Sequence, residues 1–497
     1  MLHDLFRLGP VLAVMVTAGL IIIADLATPR DRKKLLAGVA IAGLAVAALW
    51  LVALILREGT LPVSYFSDTM ALDNFSIFFM FMFIGVSGAV ILASLDYVER
   101  FGERQGEFFA LILIATSGMM LLSGARDLVT IFVSLELTSI TQFVLAGFLR
   151  DDKGGEAALK YLLLGAVASA VTLYGMAFLF GIAGTTRLIS TNGSPSIAAA
   201  IAAGDAGMRS ALIVSMVFLA AGFGFKMAIV PFQMWAPDVY QGAPAPVAAF
   251  LSVGSKAAAF AVVMRIFFEG FGPNTFVGND WKHLFAVLAA VSMCVGNVMA
   301  LRQTNIRRML GYSSIAQAGN FLVGLAAISA TTSGNTRLGA SGVVFFLATY
   351  AFTNLGAFFA VMAISNRTNS DEIADYAGMG RRAPIPAAVL LFCLLSLTGL
   401  PPTAGFIAKI YVFNAAVQAD LVWLVIIAVL NTAVAAFYYL SVVRQMYLGT
   451  ADESPEVRSP LLTQALLVLA AAGVFVFGVY PSPLIDAAQR AVNVFVS

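Results

Sequence analysis

Six ionisable residues interrupt apolar stretches of this chain. Glu136 lies in FVSLELTSITQF, Lys160 in ALKYLLLG, Lys226 in GFGFKMAIVPF, Lys256 in FLSVGSKAAAF, Arg265 nine residues beyond it, and Lys409 in GFIAKIYVF. A charged side chain at the centre of a bilayer costs at least about 2.5–3.5 kcal/mol, so such residues face a partner or a water-filled cavity. Burial disfavours a charged ammonium and a neighbouring carboxylate favours it. A lysine whose carboxylate partner can approach or withdraw therefore takes up and releases protons near neutral pH. Glu136 reads as the one acidic residue deep in a span, with Lys226 as its expected partner. A static ion pair pinning two helices would account for one such lysine, but less well for four in separate spans. Arg265 is expected near a helix end, where its long stem lets it snorkel.

The elements that must carry these residues are membrane helices. Of 497 residues, 60% are hydrophobic and 11% charged, against about 25% charged in a soluble chain. About fourteen apolar runs follow one another, at 9–27, 35–56, 72–95, 107–124, 128–149, 157–182, 209–235, 243–268, 282–301, 314–330, 339–364, 386–411, 421–446 and 461–480. Each is long enough to cross about 30 Å of hydrocarbon. The longest loop, 191–195 and its surroundings, carries the turn residues Asn192, Gly193, Ser194 and Pro195. Loop Lys and Arg number sixteen on one side, including Arg30, Lys33, Arg100, Arg302 and Arg367, and eight on the other, including Arg7, Arg57, Arg126, Arg209 and Lys282. The richer side faces the cytoplasm, which puts both termini on the periplasmic side of a bacterial inner membrane. The first apolar run is expected to be retained rather than cleaved as a signal peptide.

A net charge of +2 gives no field for nucleic acid. Cys294 and Cys393 each sit in an apolar run and read as small core residues, not as a disulfide or metal pair. No CxxC, GxGxxG, Walker A or HExxH signature is present, so no cofactor or metal is expected in this chain. Asp238, in WAPDVYQGAP, reads as a turn or cap residue. His3 and His283 fall near the surface.

Two spans are expected to be broken. Gly222, Gly224 and Pro231 surround Lys226, while Gly399, Pro401, Pro402 and Gly405 precede Lys409. Proline removes a backbone donor and opens a helix. Non-helical backbone at membrane depth is tolerated where protein or a polar cavity surrounds it. Matching broken helices in two halves are a pointer to an inverted-repeat transporter. This divides the all-α, polytopic chain into an N-terminal three-helix segment (1–106), a first five-helix repeat (107–268, helices 4–8), an inverted second repeat (269–446, helices 9–13) and a last helix with its tail (447–497). The broken helices are the seventh and twelfth.

Three stretches carry a family resemblance: PFQMWAPDVYQGAPAPVAAFLSVGSK (231–256), LTGLPPTAGFIAKIYVF (397–413) and EAALKYLLLGAVASAVTLYG (156–175). They resemble the subunit N family of proton-pumping NADH-quinone oxidoreductase, respiratory complex I, and the resemblance covers nearly the whole chain. The PDVYQGAP form and a lysine at position 409 look like subunit N more than its sister subunit M, and no lateral helix of the subunit L kind is expected. The resemblance implies fourteen helices in two inverted repeats, and proton translocation driven by quinone reduction elsewhere. It also implies roles. Glu136 matches the fifth-helix glutamate, Lys226 the seventh-helix lysine paired with it, Lys256 the connecting lysine of the eighth helix and Lys409 the twelfth-helix lysine. Lys160 matches a secondary sixth-helix lysine. Gln233 stands where the family often has histidine; it can bond water but cannot titrate. NAD, FMN, iron–sulfur clusters and quinone are implied for the wider complex, and subunits M, J and K, the lateral helix of L and the bilayer as partners. The alternatives are a subunit of a multisubunit cation/proton antiporter, which shares this fold, a stand-alone solute transporter and an inert spacer. The PDVYQGAP form argues against the first, the sparse polar lining against the second, and the buried lysines against the third.

Overall fold

The computed structural model describes residues 2–59, 61–191, 193–204, 206–327, 335–450 and 459–495. Asn192 of the turn-rich loop, positions 328–330 of the tenth predicted span, and 451–458 and 496–497 of the tail lie outside them. The main helices are α1 (Gly9–Ala27), α2 (Leu35–Glu58), α3 (Asn74–Ser94), α4 (Gln105–Gly124), α5 (Leu128–Ala146), α6 (Asp152–Ala183), α7 (Arg209–Met227), α8 (Trp235–Gly242) and α9 (Ala245–Phe271). They continue as α10 (Gly278–Ala300), α11 (Ile306–Ala326), α12 (Asn335–Thr368), α13 (Pro384–Thr398), α14 (Ala404–Gln418), α15 (Val422–Leu448), α16 (Leu461–Val479) and α17 (Ser482–Val492). Among the described residues the one sheet is a small antiparallel hairpin, β1 (Val63–Tyr65) with β2 (Met70–Leu72), pairing Ser64 with Ala71.

Local chemistry sets several of these boundaries. Asp73 caps α3 through a reciprocal pair with Ser76, Asp127 caps α5 through the amides of Val129 and Thr130, and Asp151 caps α6 through that of Gly154. Gly184 ends α6 in the left-handed conformation, φ 66°.

Twelve helices among the described residues are long and apolar enough to cross a membrane. The predicted count of about fourteen is not reproduced by that measure, for two physical reasons. The tenth span becomes α11, whose Ser313, Ser314, Gln317 and Asn320 dilute its hydropathy, and the twelfth is split at Gly399–Thr403 into α13 and α14. The most apolar stretch of α9 is wholly buried and that of α12 nearly so, whereas α1, α2, α15 and α16 turn most of their residues outward. Leu56 at 80% exposure and Leu461 at 82% are outward residues that only a bilayer or another membrane protein would cover. Inside, small residues bring helices together: a Cβ at Gly296 of α10 would meet the Ala316 amide nitrogen of α11 at 2.6 Å.

The cysteines divide. Both are free; Cys393 is buried as expected, but Cys294 is exposed, because α10 turns that position outward. His3 and His283 are exposed.

Candidate functional site

Lys226 occupies the last turn of α7. The helix stops at Met227 because Ala228 turns left-handed, φ 56°, and returns its N–H to the carbonyls of Gly224 and Phe225. Pro231 then prevents resumption until α8. Trp235 at the start of α8 ties the break together, donating from Nε1 to the Phe225 carbonyl at 2.7 Å and stacking on Tyr161 with ring centroids 4.4 Å apart. Lys226 is 5% exposed, and its Nζ has no hydrogen-bond partner among the described residues. It lies instead 5.3 Å from the ring centroid of Phe143 and 5.4 Å from that of Tyr161. Such faces stabilise an ammonium by about 0.5–2 kcal/mol.

The expected Glu136–Lys226 pair is not formed. Glu136 remains near enough to act on Lys226 electrostatically, but its carboxylate accepts a hydrogen bond from Ser169 Oγ at 2.5 Å. The reason is its face. Val129, Val133 and Ile140, at helical spacing from Glu136, are 58%, 60% and 57% exposed, so the half-buried Glu136 lies on the outward side of α5.

From the Lys226 cup a polar bridge leads inward. Tyr161 Oη and Ser255 Oγ both donate to Gln142 Oε1, each at 3.1 Å. Ser255 closes a π-helical turn, Leu251–Ser255, and Lys256 follows it at once. Single π turns mark functional positions in helices because they re-aim side chains. Lys256, 1% exposed, donates to the Ser314 carbonyl and, at 2.7 Å, to Ser314 Oγ on α11.

The second break holds Lys409. α13 ends at Thr398, and Gly399 turns left-handed at φ 89°. The amide of Leu400 bonds the Leu395 carbonyl, closing the end of the helix. Lys409, in the second turn of α14 and 5% exposed, donates to the carbonyls of Leu397 at 3.0 Å and Thr398 at 2.8 Å. These are free C-terminal carbonyls of α13, where the helix dipole is negative. Gln317 of α11 donates to the same Leu397 carbonyl at 2.8 Å and accepts from Asn320 Nδ2 at 3.2 Å. Ser314, Gln317 and Asn320 follow at steps of three, so each neighbours the next on the helix surface. Both breaks also contain a cis X–Pro bond, Val230–Pro231 and Pro401–Pro402.

Two expectations about buried charge change. Lys160 is not buried: its side chain is 43% exposed and pairs with Asp238 at 2.8 Å and Glu156 at 2.7 Å. Asp238, expected as a turn residue, also binds Arg308 of α11 at 2.5 Å, joining α6, α8 and α11. Partial burial pushes this carboxyl up, but Lys160 and Arg308 outweigh it and hold it below the usual carboxylate range. Arg265 does not snorkel. It is 0% exposed and pairs with Asp73 at 2.8 Å and Glu269 at 3.0 Å. Arg126, expected in a loop, is 2% exposed and binds the same two acids. Two arginines and two carboxylates thus neutralise one another where α3, α4 and α9 meet. Gln233 lies in the first break, half-buried, with Oε1 unpartnered among the described residues.

Residues 125–435 match the family described as NADH:quinone oxidoreductase/Mrp antiporter, TM. A protein of Dehalococcoides mccartyi named NADH-quinone oxidoreductase subunit N is 42% identical over 99% of this chain and 100% of its own length. The chain belongs to the NADH-quinone oxidoreductase subunit N family. A chain of respiratory complex I from Thermus thermophilus, solved with bound aureothin, superposes with a TM-score of 0.78 at 30% identity, covering 96% of this chain and 98% of that one. A chain of the Mrp complex from Dietzia superposes at 0.84 with 19% identity, covering 100% of this chain and 98% of that one. At that identity the likeness shows the fold alone. As a subunit N family member the chain is a multi-pass, proton-translocating membrane subunit of the antiporter-like fold, built to work beside other membrane subunits.

Several residues of this subunit N site were not anticipated. Tyr161 and Gln142, Ser255, and the α11 stripe are neutral, and a search for charge in apolar runs passes over them. The i, i+3, i+6 spacing of Ser314, Gln317 and Asn320 within an otherwise apolar helix was the available signal. Nothing local marked Asp73 or Arg126, which join Arg265 and Glu269, its neighbour one helical turn on, across long sequence separations.

Proposed function

We propose that protons cross this subunit through Lys226, Lys256 and Lys409 in series, with Glu136 setting the charge state of the first. The observation that carries this reading is the polar line between them: Tyr161, Gln142 and Ser255 between the Lys226 cup and Lys256, then Ser314, Gln317 and the Leu397 carbonyl between Lys256 and Lys409. Among the described residues Lys226 has no fixed acceptor, whereas Lys256 and Lys409 each have two. The first amine is therefore free to respond to Glu136, and the later two donate to carbonyls and a hydroxyl. Uptake occurs on the side of Lys160, a secondary participant held by Asp238, and release beyond Lys409.

The drive is quinone reduction elsewhere in the complex, reaching this chain as a change around Glu136. Its outward face supports contact with a neighbouring membrane subunit there. In this reading the neighbours are subunits M, J and K and the lateral helix of L, and the NAD, FMN, iron–sulfur and quinone chemistry belongs to other chains. The two halves 107–268 and 269–446 are inverted repeats, flanked by 1–106 and 447–497. The excess of loop Lys and Arg on one side supports periplasmic termini in a bacterial inner membrane.

Lys226→Ala tests the assignment. The assembled complex in proteoliposomes should keep electron transfer when uncoupled but move fewer protons per electron. An unchanged ratio, or a defect traced wholly to failed assembly, refutes the role.

A further inference from the structure

Helices α3, α12 and α16, with Leu484 of α17, leave a crevice on the outer wall of the subunit, lined by none of the three buried lysines. Its middle is an apolar cavity of about 440 Å³ lined by Phe78, Met82, Gly85, Phe352, Leu355 and Leu469 among others. One turn further along the same three helices is a second, polar cavity of about 360 Å³, containing Asp96, Glu99, Arg100, Arg367 and Thr463. The two are continuous in register. Ala89 lines the first and Ala93 the second, as do Phe359 and Ala363, and Leu466 and Thr463, each pair one helical turn apart. The apolar part follows α3 from Phe78 to Ala89, about 17 Å at the helical rise, close to the roughly 15 Å depth of one leaflet.

The polar end has unspent charge. Neither Arg100 nor Arg367 has a carboxylate partner among the described residues; Arg100 lies over the Tyr97 ring at 5.0 Å. Of the two acids, Glu99 is taken by Lys34 at 2.6 Å, while among the described residues Asp96 accepts one hydroxyl bond, from Thr463 at 2.9 Å. Two open guanidiniums match a phosphodiester, and the open carboxylate beside them matches an amine.

We propose that this crevice binds one zwitterionic glycerophospholipid of the ethanolamine type. The phosphate sits at Arg100 and Arg367, the headgroup amine faces Asp96, and an acyl chain fills the slot past Gly85. The bound lipid is a fixed part of the wall, separate from the proton line.

The test uses the intact complex in bilayers containing phosphatidylethanolamine with a diazirine on its acyl chain, followed by mapping of the labelled peptides. Labelling is expected on the α12 peptide containing Phe352 and Leu355. Arg100→Gln with Arg367→Gln should lower it about tenfold, the loss of roughly one charge-assisted hydrogen bond in binding. Gly85→Phe should abolish it. A Cβ at Gly85 meets nothing within 4 Å, so the new side chain starts into open space on the slot side, and this variant decides alone if the arginine variants fail to assemble. Labelling that survives Gly85→Phe or the double arginine change overturns the proposal. So does equal labelling by a diazirine fatty acid without headgroup, or by phosphatidylglycerol, or a cross-link from a photoreactive group at Leu355 to another subunit.

Discussion

Replacing Gln317 with leucine removes one joint of the proposed line. Gln317 is 2% exposed, donates to the Leu397 carbonyl at 2.8 Å and accepts from Asn320 at 3.2 Å. Losing the first bond costs about 1 kcal/mol net, and leaving Asn320 short of an acceptor adds about 1–3 kcal/mol. Asn320 keeps the Ala316 carbonyl at 3.4 Å, which places the sum near the low end. A penalty of that size is borne by one helix within a large assembly, so the complex should still form. Proton passage is a different matter. With an apolar side chain between Ser314 and the Leu397 carbonyl, a transfer step loses about 1.5–3 kcal/mol of stabilisation, or roughly 10–100-fold in rate. Electron transfer and internal acidification measured together in proteoliposomes should show protons per electron falling, with uncoupled electron transfer close to that of the parent. Gln317→Glu, which retains a hydrogen-bonding group, should fall less. A leucine variant that assembles and pumps at the parental ratio would refute the relay through α11.

Two further outcomes follow from the same geometry. Gly399→Ala forces a side chain into a left-handed position, φ 89°, and brings its Cβ to 2.9 Å from Lys409 Cδ; a loss of about 1–3 kcal/mol together with impaired pumping is expected, read by thermal stability and the proton ratio. Asp238 is held below the usual carboxylate range by Lys160 and Arg308 against partial burial. Its contribution is therefore present above about pH 4 and lost as pH falls through its own lower value. Asp238→Asn should remove about 1 kcal/mol at neutral pH, discounted for exposure, and flatten the acid limb of a thermal-stability profile; an unchanged acid limb would show that the Asp238 ion pairs contribute nothing.

Hydropathy made most of the fold legible, because a bilayer demands long apolar helices whatever their order. It failed where helices are shielded by other protein. α11 is surrounded and so tolerates Ser313, Ser314, Gln317 and Asn320, and α13 and α14 are each too short to cross. The breaks themselves were visible, since Pro231, Pro401 and Pro402 keep the helix from resuming past Ala228 and Gly399. At the site, Lys226, Lys256 and Lys409 stood out because charge in an apolar run is costly, and all three are buried. Glu136 did not pair as its type implied, because pairing depends on which face of α5 it occupies, and the exposure of Val129, Val133 and Ile140 reveals that only in three dimensions. Arg265 was misplaced for a similar reason: its partner Asp73 lies far away in sequence, and Glu269, one helical turn on, gives no sign by itself that the arginine is buried.

The central claim is that the three amines communicate through solvent and polar side chains. The most direct measurement is a structure of the whole complex that resolves ordered water. Water molecules joining the Phe143–Tyr161 cup to Ser255, and Ser314 to the Leu397 carbonyl, are the predicted result; dry, close-packed side chains between Lys226, Lys256 and Lys409 throughout turnover would contradict it.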